Sequence, residues 1–209
     1  MDSDALLFLV ACVVVAASPG PAVLYIVART LDQGTAAGLI SMAGITTGGL
    51  VHVLLASFGV AALATAWPLS LVMLQVVGAA YLIWLGLQRA LAYRAIRAGI
   101  EVQHQPLSAI YRQAVVVNLT NPKTVLFLLA FLPQFVTVDE TPVWLQMLAL
   151  GLIFIIIASV SDGLYAIAAG RIRGWLKRDG APRWPALVTA GVYMGLGVLG
   201  LWDAYANRL

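Results

Sequence analysis

Two long stretches of the chain contain no charged residue, and they constrain its fold more than any other feature. Residues 5–28 and residues 33–88 carry no Asp, Glu, Lys or Arg. A helix needs roughly 20 consecutive apolar residues to cross a bilayer, and each stretch is long enough for at least one crossing. The chain is 62% hydrophobic and only 10% charged, whereas soluble domains are about a quarter charged. The sequence therefore predicts an all-α membrane protein.

Proline, glycine and charged residues divide the chain into six predicted transmembrane helices. The N-terminal stretch lacks the basic region of a secretion signal and carries Asp2 and Asp4 instead, so we interpret it as a crossing. We expect residues 1–209 to form a single transmembrane domain. The predicted helices lie near residues 5–28, 36–63, 69–90, 112–136, 143–170 and 185–205.

The distribution of charge predicts how these helices are oriented. Lys and Arg concentrate in cytoplasmic loops, and nearly all basic residues outside the spans fall on one predicted side. We therefore expect that side to be cytoplasmic and both termini to lie outside (N-out/C-out). Because topology explains the basic residues, no nucleic-acid partner is expected. The basic side holds Arg29, Arg89, Arg94, Arg97, Arg112, Arg171, Arg173, Lys177, Arg178 and Arg183, and the opposite side holds Asp2, Asp4, Asp139, Glu140, Asp203 and Arg208.

Three crossings in each half would make the second half enter the membrane opposite to the first, as in inverted-repeat transporters. We expect half-repeats at approximately residues 1–92 and 106–209, joined by a cytoplasmic linker at approximately 93–105. Two motifs at corresponding places support the repeat. Helix 1 contains S-P-G-P at 18–21, and helix 4 contains N-P-K at 121–123.

These motifs predict that helices 1 and 4 are broken. Ser and Asn are preferred N-cap residues, and Pro is favoured at the first helical position, so each motif is typical of a helix start inside the membrane. The free N–H groups of such a start favour an anionic ligand; prolines that merely kink two helices are the alternative. The candidate substrate-binding residues are Ser18, Pro19, Gly20, Pro21, Asn118, Asn121, Pro122 and Lys123.

Lys123, Asp162 and His52 are the ionisable side chains predicted to lie well inside the membrane. Such residues are costly and mark functional positions or ion pairs. Lys123 could help to hold a substrate carboxylate, and Asp162 a substrate amine or a coupling proton. The alternatives are a Lys123–Asp162 ion pair, or Lys123 reaching to the inner headgroups. His52 could relay a proton or hydrogen-bond across helices. With 2 His and 1 Cys in the chain, we expect no metal site and no cofactor.

Two G-x-x-x-G patterns, at residues 44–48 and 191–195, would let helices approach closely. We expect them to serve internal packing. The alternative is a homodimer interface.

The motifs together resemble the lysine-exporter/resistance-to-homoserine (LysE/RhtB) family. This resemblance implies a bacterial inner-membrane exporter of amino acids or close derivatives, driven by the proton-motive force. Two positions depart from the family pattern: Ala22 stands where many members have Asn, and Gly49 where many have an acid, which shifts a coupling role towards Asp162. The resemblance covers nearly the whole chain through S-P-G-P at 18–21, T-L-D-Q-G-T-A-A-G at 30–38, G-I-T-T-G-G-L-V-H at 44–52, G-A-A-Y-L-I-W-L-G at 78–86 and N-P-K-T-V-L-F-L-L-A-F-L-P-Q-F at 121–135.

We therefore predict a secondary active exporter, not an enzyme, whose partners are an amino acid, protons and the lipid bilayer. The alternatives are a transporter of another small solute or cation, a channel, and an intramembrane enzyme built on His52, Ser57 and Ser159. No spacing motif supports the enzyme. No repeated ring of polar residues indicates a pore.

Overall fold

Helices form all of the regular structure in the part of the chain that the computed structural model describes, which is residues 2–59, 76–77, 79–88, 90–91, 105–136, 141–176 and 184–206. The all-α prediction is confirmed there. Helix α6, Pro122–Leu126, continues directly into a π-helix, Phe127–Phe131, and a 3-10 helix, Leu132–Phe135. The α-helices are α1 Asp2–Ala17, α2 Pro21–Gln33, α3 Thr35–Ser57, α4 Ala79–Gln88, α5 Leu107–Leu119, α6 Pro122–Leu126, α7 Val143–Leu176 and α8 Trp184–Ala206.

Two to four candidate membrane spans occur among the described residues. Helix α3 and residues Val143–Gly174 of α7 are each long and apolar enough to cross a bilayer. Helices α1 and α2 qualify together as one span bent by 45°, and α5 with Pro122–Phe135 as another bent by 48°. The predicted breaks in helices 1 and 4 are therefore present. The count of six crossings, the inverted repeat and the orientation stay predictions, since residues 60–75 and 92–104 lie outside the described ranges.

Helix α3 lies at the centre of the described fold because its glycines let α5 approach closely. A Cβ added to Gly44 would lie 2.5 Å from the Tyr111 carbonyl oxygen, and one added to Gly48 would lie 2.9 Å from the Asn118 Cβ. Side chains larger than hydrogen do not fit at such distances. The G-x-x-x-G pattern at 44–48 therefore serves internal packing, as expected.

The second G-x-x-x-G pattern behaves differently. A Cβ on Gly191 or Gly195 would meet no atom of the described residues within 4 Å. These glycines lie on an open face of α8 beside the exposed side chains of Met194, Val198 and Trp202. The expectation of internal packing for this pattern is wrong within the described residues.

The first broken helix extends further than the sequence pattern indicated. The predicted helix ends at residue 28 and leaves Arg29 as a loop charge, but α2 continues to Gln33, and Arg29 is fully buried inside it. The helix ends at Gly34, whose φ of 98° only glycine adopts readily and whose N–H donates to the Thr30 carbonyl over 2.8 Å. The glycine C-cap, rather than the first charge, sets the end of this helix.

Candidate functional site

The first helix break is an extended segment between two helices. The Ser18 N–H donates to the Val14 carbonyl, so Ser18 completes the last turn of α1. Gly20 is extended and is the N-cap of α2, with Pro21 at its first position and no side-chain cap. The prediction that Ser18-Pro19 starts the helix is thus wrong by two residues. Because Pro follows both Ser18 and Gly20, the N1 preference alone could not choose between them.

The second break follows its sequence signature. Helix α5 ends at Leu119, and Asn121 has the extended backbone of an N-cap before Pro122. The Asn121 side chain accepts a hydrogen bond from the Lys123 N–H over 3.1 Å. This is the predicted Asn-Pro helix start, with one of its free donors satisfied by its own cap.

The carbonyl end of α1 is bound by side chains from the second half of the chain. Tyr165 donates through its hydroxyl to the Ala17 carbonyl over 2.7 Å, and Ser161 to the Ala16 carbonyl over 3.3 Å. The Lys123 ammonium donates to the Ser18 carbonyl. Helix ends leave carbonyls without intrahelical partners, and inside a membrane they need such donors. Neither Ser161 nor Tyr165 was predicted to be a site residue, although both lie near Asp162 in a strongly apolar helix.

Asn118 is the centre of a hydrogen-bond network beside the second break. Its side-chain amide donates to the Ile45 carbonyl of α3 over 2.6 Å, and its side-chain oxygen accepts from Thr124 over 3.1 Å. Its backbone carbonyl lies 3.0 Å from His52 Nε2. His52 thus makes the interhelical hydrogen bond that was one of its two predicted roles. The network holds α3, α5 and α6 in fixed relation.

A cavity of about 50 Å³, with a mostly apolar wall that includes Lys123 and Asp162, lies between the two breaks. This volume accommodates a few water molecules, so a larger ligand requires the surrounding helices to move apart. The predicted site residues that line it are Gly20, Asn118, Asn121, Lys123 and Asp162. The predicted site residues that do not line it are Ser18, Pro19, Pro21, Pro122 and His52. The cavity is lined by Val15, Ala16, Gly20, Ala22, Val23, Ile45, Thr46, Asn118, Asn121, Lys123, Thr124, Phe154, Ile155, Ala158, Ser159 and Asp162.

Lys123 and Asp162 face the same cavity without bonding directly to one another. Asp162 is buried, and its carboxylate interacts electrostatically with the Lys123 ammonium. That ammonium is hydrogen-bonded to the Ser18 carbonyl instead. A fixed ion-pair strut between helices is therefore not the arrangement in this structure. No group of three His, Cys, Asp or Glu side chains suited to a metal occurs in the described ranges.

The two positions that depart from the family pattern lie at this site. Ala22 lines the cavity with a methyl group. A Cβ on Gly49 would lie 2.5 Å from Ile155 Cδ1 and 3.3 Å from the Asn118 side-chain nitrogen. Ile155 fills the space that a side chain at residue 49 would need, so Asp162 is the carboxylate that lines this cavity.

A second polar cluster, which was not predicted from the sequence, surrounds the buried Arg29. The guanidinium carbon lies 5.5 Å from the ring centre of Tyr25 and 5.9 Å from that of Tyr193. One guanidinium nitrogen donates to the Gln113 side-chain oxygen. The sequence signal available was an Arg four residues after a Tyr on a helix that begins inside the membrane, which places both on one helix face.

Among the described residues, two membrane-length helices and two bent helix pairs, with a small cavity between the bends, are typical of an all-α membrane protein with an internal site. The chain belongs to the family of LysE type translocators, whose model matches residues 13–203. This confirms the LysE/RhtB resemblance. Members of this family are efflux proteins and not enzymes, so the chain is a multi-pass transporter of the bacterial inner membrane.

The relatives of this chain are membrane proteins of Gram-negative bacteria. A homoserine/homoserine lactone efflux protein of Salmonella typhimurium is 35% identical over 170 residues, which cover 81% of this chain and 82% of the relative. A leucine efflux protein of Klebsiella pneumoniae is 34% identical over 139 residues, 66% of each chain. An uncharacterized membrane protein of Vibrio cholerae is 29% identical over 194 residues, covering 93% of this chain and 94% of the relative. No solved structure matches the chain.

Proposed function

We propose that this protein exports amino acids or close derivatives from the cytoplasm, driven by the proton-motive force. The observation that supports the proposal best is the cavity between the two helix breaks, which Lys123 and Asp162 both line. The relatives named for efflux of homoserine, homoserine lactone and leucine support an amino-acid cargo. Such compounds share an amino group, and the acids also carry a carboxylate.

In this proposal the substrate carboxylate binds at the start of α2. That helix has no side-chain cap, and Ala22 and Val23 of its first turn line the cavity. Uncapped N–H groups at a helix start, with the positive end of the helix dipole, favour an anion. Lys123 lies beside Gly20, since a Cβ there would be 3.2 Å from Lys123 Cδ, and its ammonium assists in binding the carboxylate.

Asp162 receives either the substrate ammonium or the counter-moving proton. It is the buried carboxylate of the cavity, and buried carboxylates in transporters serve as proton and cation sites. Lys123, which interacts with it electrostatically, adjusts its affinity for cations. Alternating access follows when the two proposed half-repeats move against each other around this site. A homodimer, with the exposed α8 glycines at its interface, stays the proposed oligomeric alternative to a monomer.

Everted membrane vesicles test this function directly, because their outer surface is the cytoplasmic face. Vesicles energised to an acidic interior are given radiolabelled homoserine, leucine or lysine, with and without an uncoupler. We expect saturable accumulation of at least one of them that the uncoupler abolishes. Vesicles lacking the protein are the control. No accumulation above that control would contradict the function, and non-saturating flux would indicate a channel.

A further inference from the structure

The cluster around Arg29 lies on α2 beyond the cavity, about 10 Å further along the helix than Ala22. Arg29 is 0% exposed, and the rings of Tyr25 and Tyr193 stack at 5.3 Å with an interplanar angle of 12°. Gln113 of α5 accepts from Arg29 and, over 3.4 Å, from the Tyr25 hydroxyl. The guanidinium is therefore enclosed where α2, α5 and α8 meet.

Three polar atoms of this cluster have no hydrogen-bond partner among the residues that the structure describes. They are Arg29 Nε, Arg29 Nη1 and the Tyr193 hydroxyl, and all three are buried. A buried polar group without a partner costs about 1–3 kcal/mol, and more when it is charged. Asp32, one turn along α2, attracts the guanidinium electrostatically, but its carboxylate makes no hydrogen bond to these two N–H groups. The cluster thus retains donors for an anionic ligand.

We propose that Arg29 and the Tyr193 hydroxyl form a second carboxylate-binding site, which receives the transported amino acid on its path between the cytoplasm and the cavity. This inference rests on the proposed function. A guanidinium binds a carboxylate through paired hydrogen bonds of fixed geometry, and the phenolic hydroxyl adds a further donor. In the present conformation Arg29 donates a hydrogen bond to the Gln113 side-chain oxygen. When the substrate binds, a carboxylate oxygen replaces the Gln113 oxygen as the acceptor.

The position of the cluster fits a step before the cavity. Helix α2 runs from the cavity at Ala22 to the basic end of the bundle, where Arg173 donates to the Leu31 and Asp32 carbonyls over 2.9 Å and 3.2 Å. In the present conformation Tyr25 and Tyr193 close around Arg29. Separation of α2 from α8 exposes the guanidinium to a ligand from that end, and closure returns it to the arrangement seen here.

Tyr193→Phe is the most informative variant, because the hydroxyl that it removes makes no hydrogen bond within the described part of the chain. A purely structural cluster loses nothing, whereas a carboxylate site loses one donor. We expect the KM for export of homoserine or leucine in everted vesicles to rise about tenfold, with an unchanged melting temperature. Arg29→Lys, which keeps the charge but loses the paired geometry, is expected to raise KM at least as much.

Tyr111→Phe is the matched control. The Tyr111 hydroxyl is hydrogen-bonded to the Thr47 hydroxyl over 2.8 Å, and Tyr111 belongs neither to the cavity wall nor to the Arg29 cluster, so removal of its hydroxyl is expected to lower the melting temperature with little change in KM. Homoserine lactone, which has no carboxylate, is added as a competitor. Its inhibition constant is expected to be the same in the wild type and in Tyr193→Phe.

The outcomes separate this inference from the function on which it rests. An unchanged KM in Tyr193→Phe overturns the second site and leaves the exporter proposal intact. The same conclusion follows if Tyr193→Phe raises the inhibition constant of homoserine lactone by as much as it raises KM. If Arg29→Lys does not fold, Tyr193→Phe alone decides the question. If wild-type vesicles accumulate none of homoserine, leucine and lysine above the control, the amino-acid exporter proposal fails, and the carboxylate site fails with it.

Discussion

The two helix breaks have similar sequences but different local bonding. At the second break Asn121 caps the Lys123 N–H, and its neighbour Asn118 bonds to α3 and α6. At the first break α2 starts from an extended Gly20 without a side-chain cap. The second break therefore satisfies one of its backbone donors with its own N-cap side chain, whereas the first has no such cap and leaves backbone donors open beside the cavity.

This difference assigns different roles to the two breaks. The first supplies backbone N–H groups to a substrate carboxylate, in the proposed mechanism, while the second presents Lys123 from a fixed support. The first break is also stabilised by the second half of the chain, since Tyr165, Ser161 and Lys123 donate hydrogen bonds to the carbonyls at the end of α1. Movement of the second half would thus change the first break more than the second.

The largest expected effect comes from Asp162→Asn, which removes the carboxylate from the cavity between the two breaks. We expect accumulation of substrate against its gradient to disappear in everted vesicles, because the amide cannot carry a coupling proton or charge-pair with an ammonium. The melting temperature in detergent should stay near that of the wild type. Normal uncoupler-sensitive accumulation by the variant would remove Asp162 from the mechanism.

Lys123→Met separates binding from coupling. The variant loses a charged donor that lies beside Gly20, so we expect KM to rise about tenfold. Because Asp162 is retained, accumulation at saturating substrate should persist. The initial uptake rate is measured over a range of concentrations, with Leu126→Met, on the exposed side of the same helix, as the control. A wild-type KM would show that Lys123 has no contact with the substrate.

Asn121→Ala and Ser18→Ala compare the two breaks directly. We expect Asn121→Ala to lower the free energy of unfolding by about 1 kcal/mol, since an N-cap is lost. Ser18→Ala should change it by less than about 0.5 kcal/mol, because Ser18 is exposed and α2 has no side-chain cap. Unfolding in mixed detergent micelles gives both values. Equal losses would mean that Ser18 caps a helix after all.

Tyr165→Phe should have a smaller effect than Asn121→Ala. It removes the hydroxyl that donates to the Ala17 carbonyl at the end of α1. Because this hydrogen bond lies near the surface, we expect a loss of about 0.5 kcal/mol in the same unfolding measurement. A loss above about 2 kcal/mol would show that the first break depends on this one bond.

Sequence reasoning succeeded where one local rule decided the structure. Asn121-Pro122 allows only one helix start, with Asn121 as the N-cap, and the structure has its N-cap at Asn121. Ser18-Pro19-Gly20-Pro21 allows two helix starts, with either Ser18 or Gly20 as the N-cap. The start at Gly20 depends on the Ser18 N–H, which donates to the Val14 carbonyl and so keeps Ser18 in α1. Arg29 was misplaced because a charge near a span end usually marks a loop, whereas here Tyr25, Tyr193 and Gln113 enclose it through tertiary contacts. Tertiary contacts of this kind leave no periodic signal in the sequence.

Substrate protection of a cavity cysteine tests the central claim, that the cavity between the breaks holds the substrate. In a Cys12→Ala background, Ala158→Cys places a thiol in the cavity wall, and Val160→Cys places one on the exposed face of the same helix. The labelling rate with a membrane-permeant maleimide is measured with and without saturating homoserine or leucine. The account predicts slower labelling at residue 158 and no change at residue 160. Equal rates at residue 158 with and without a substrate that the variant still transports would contradict it.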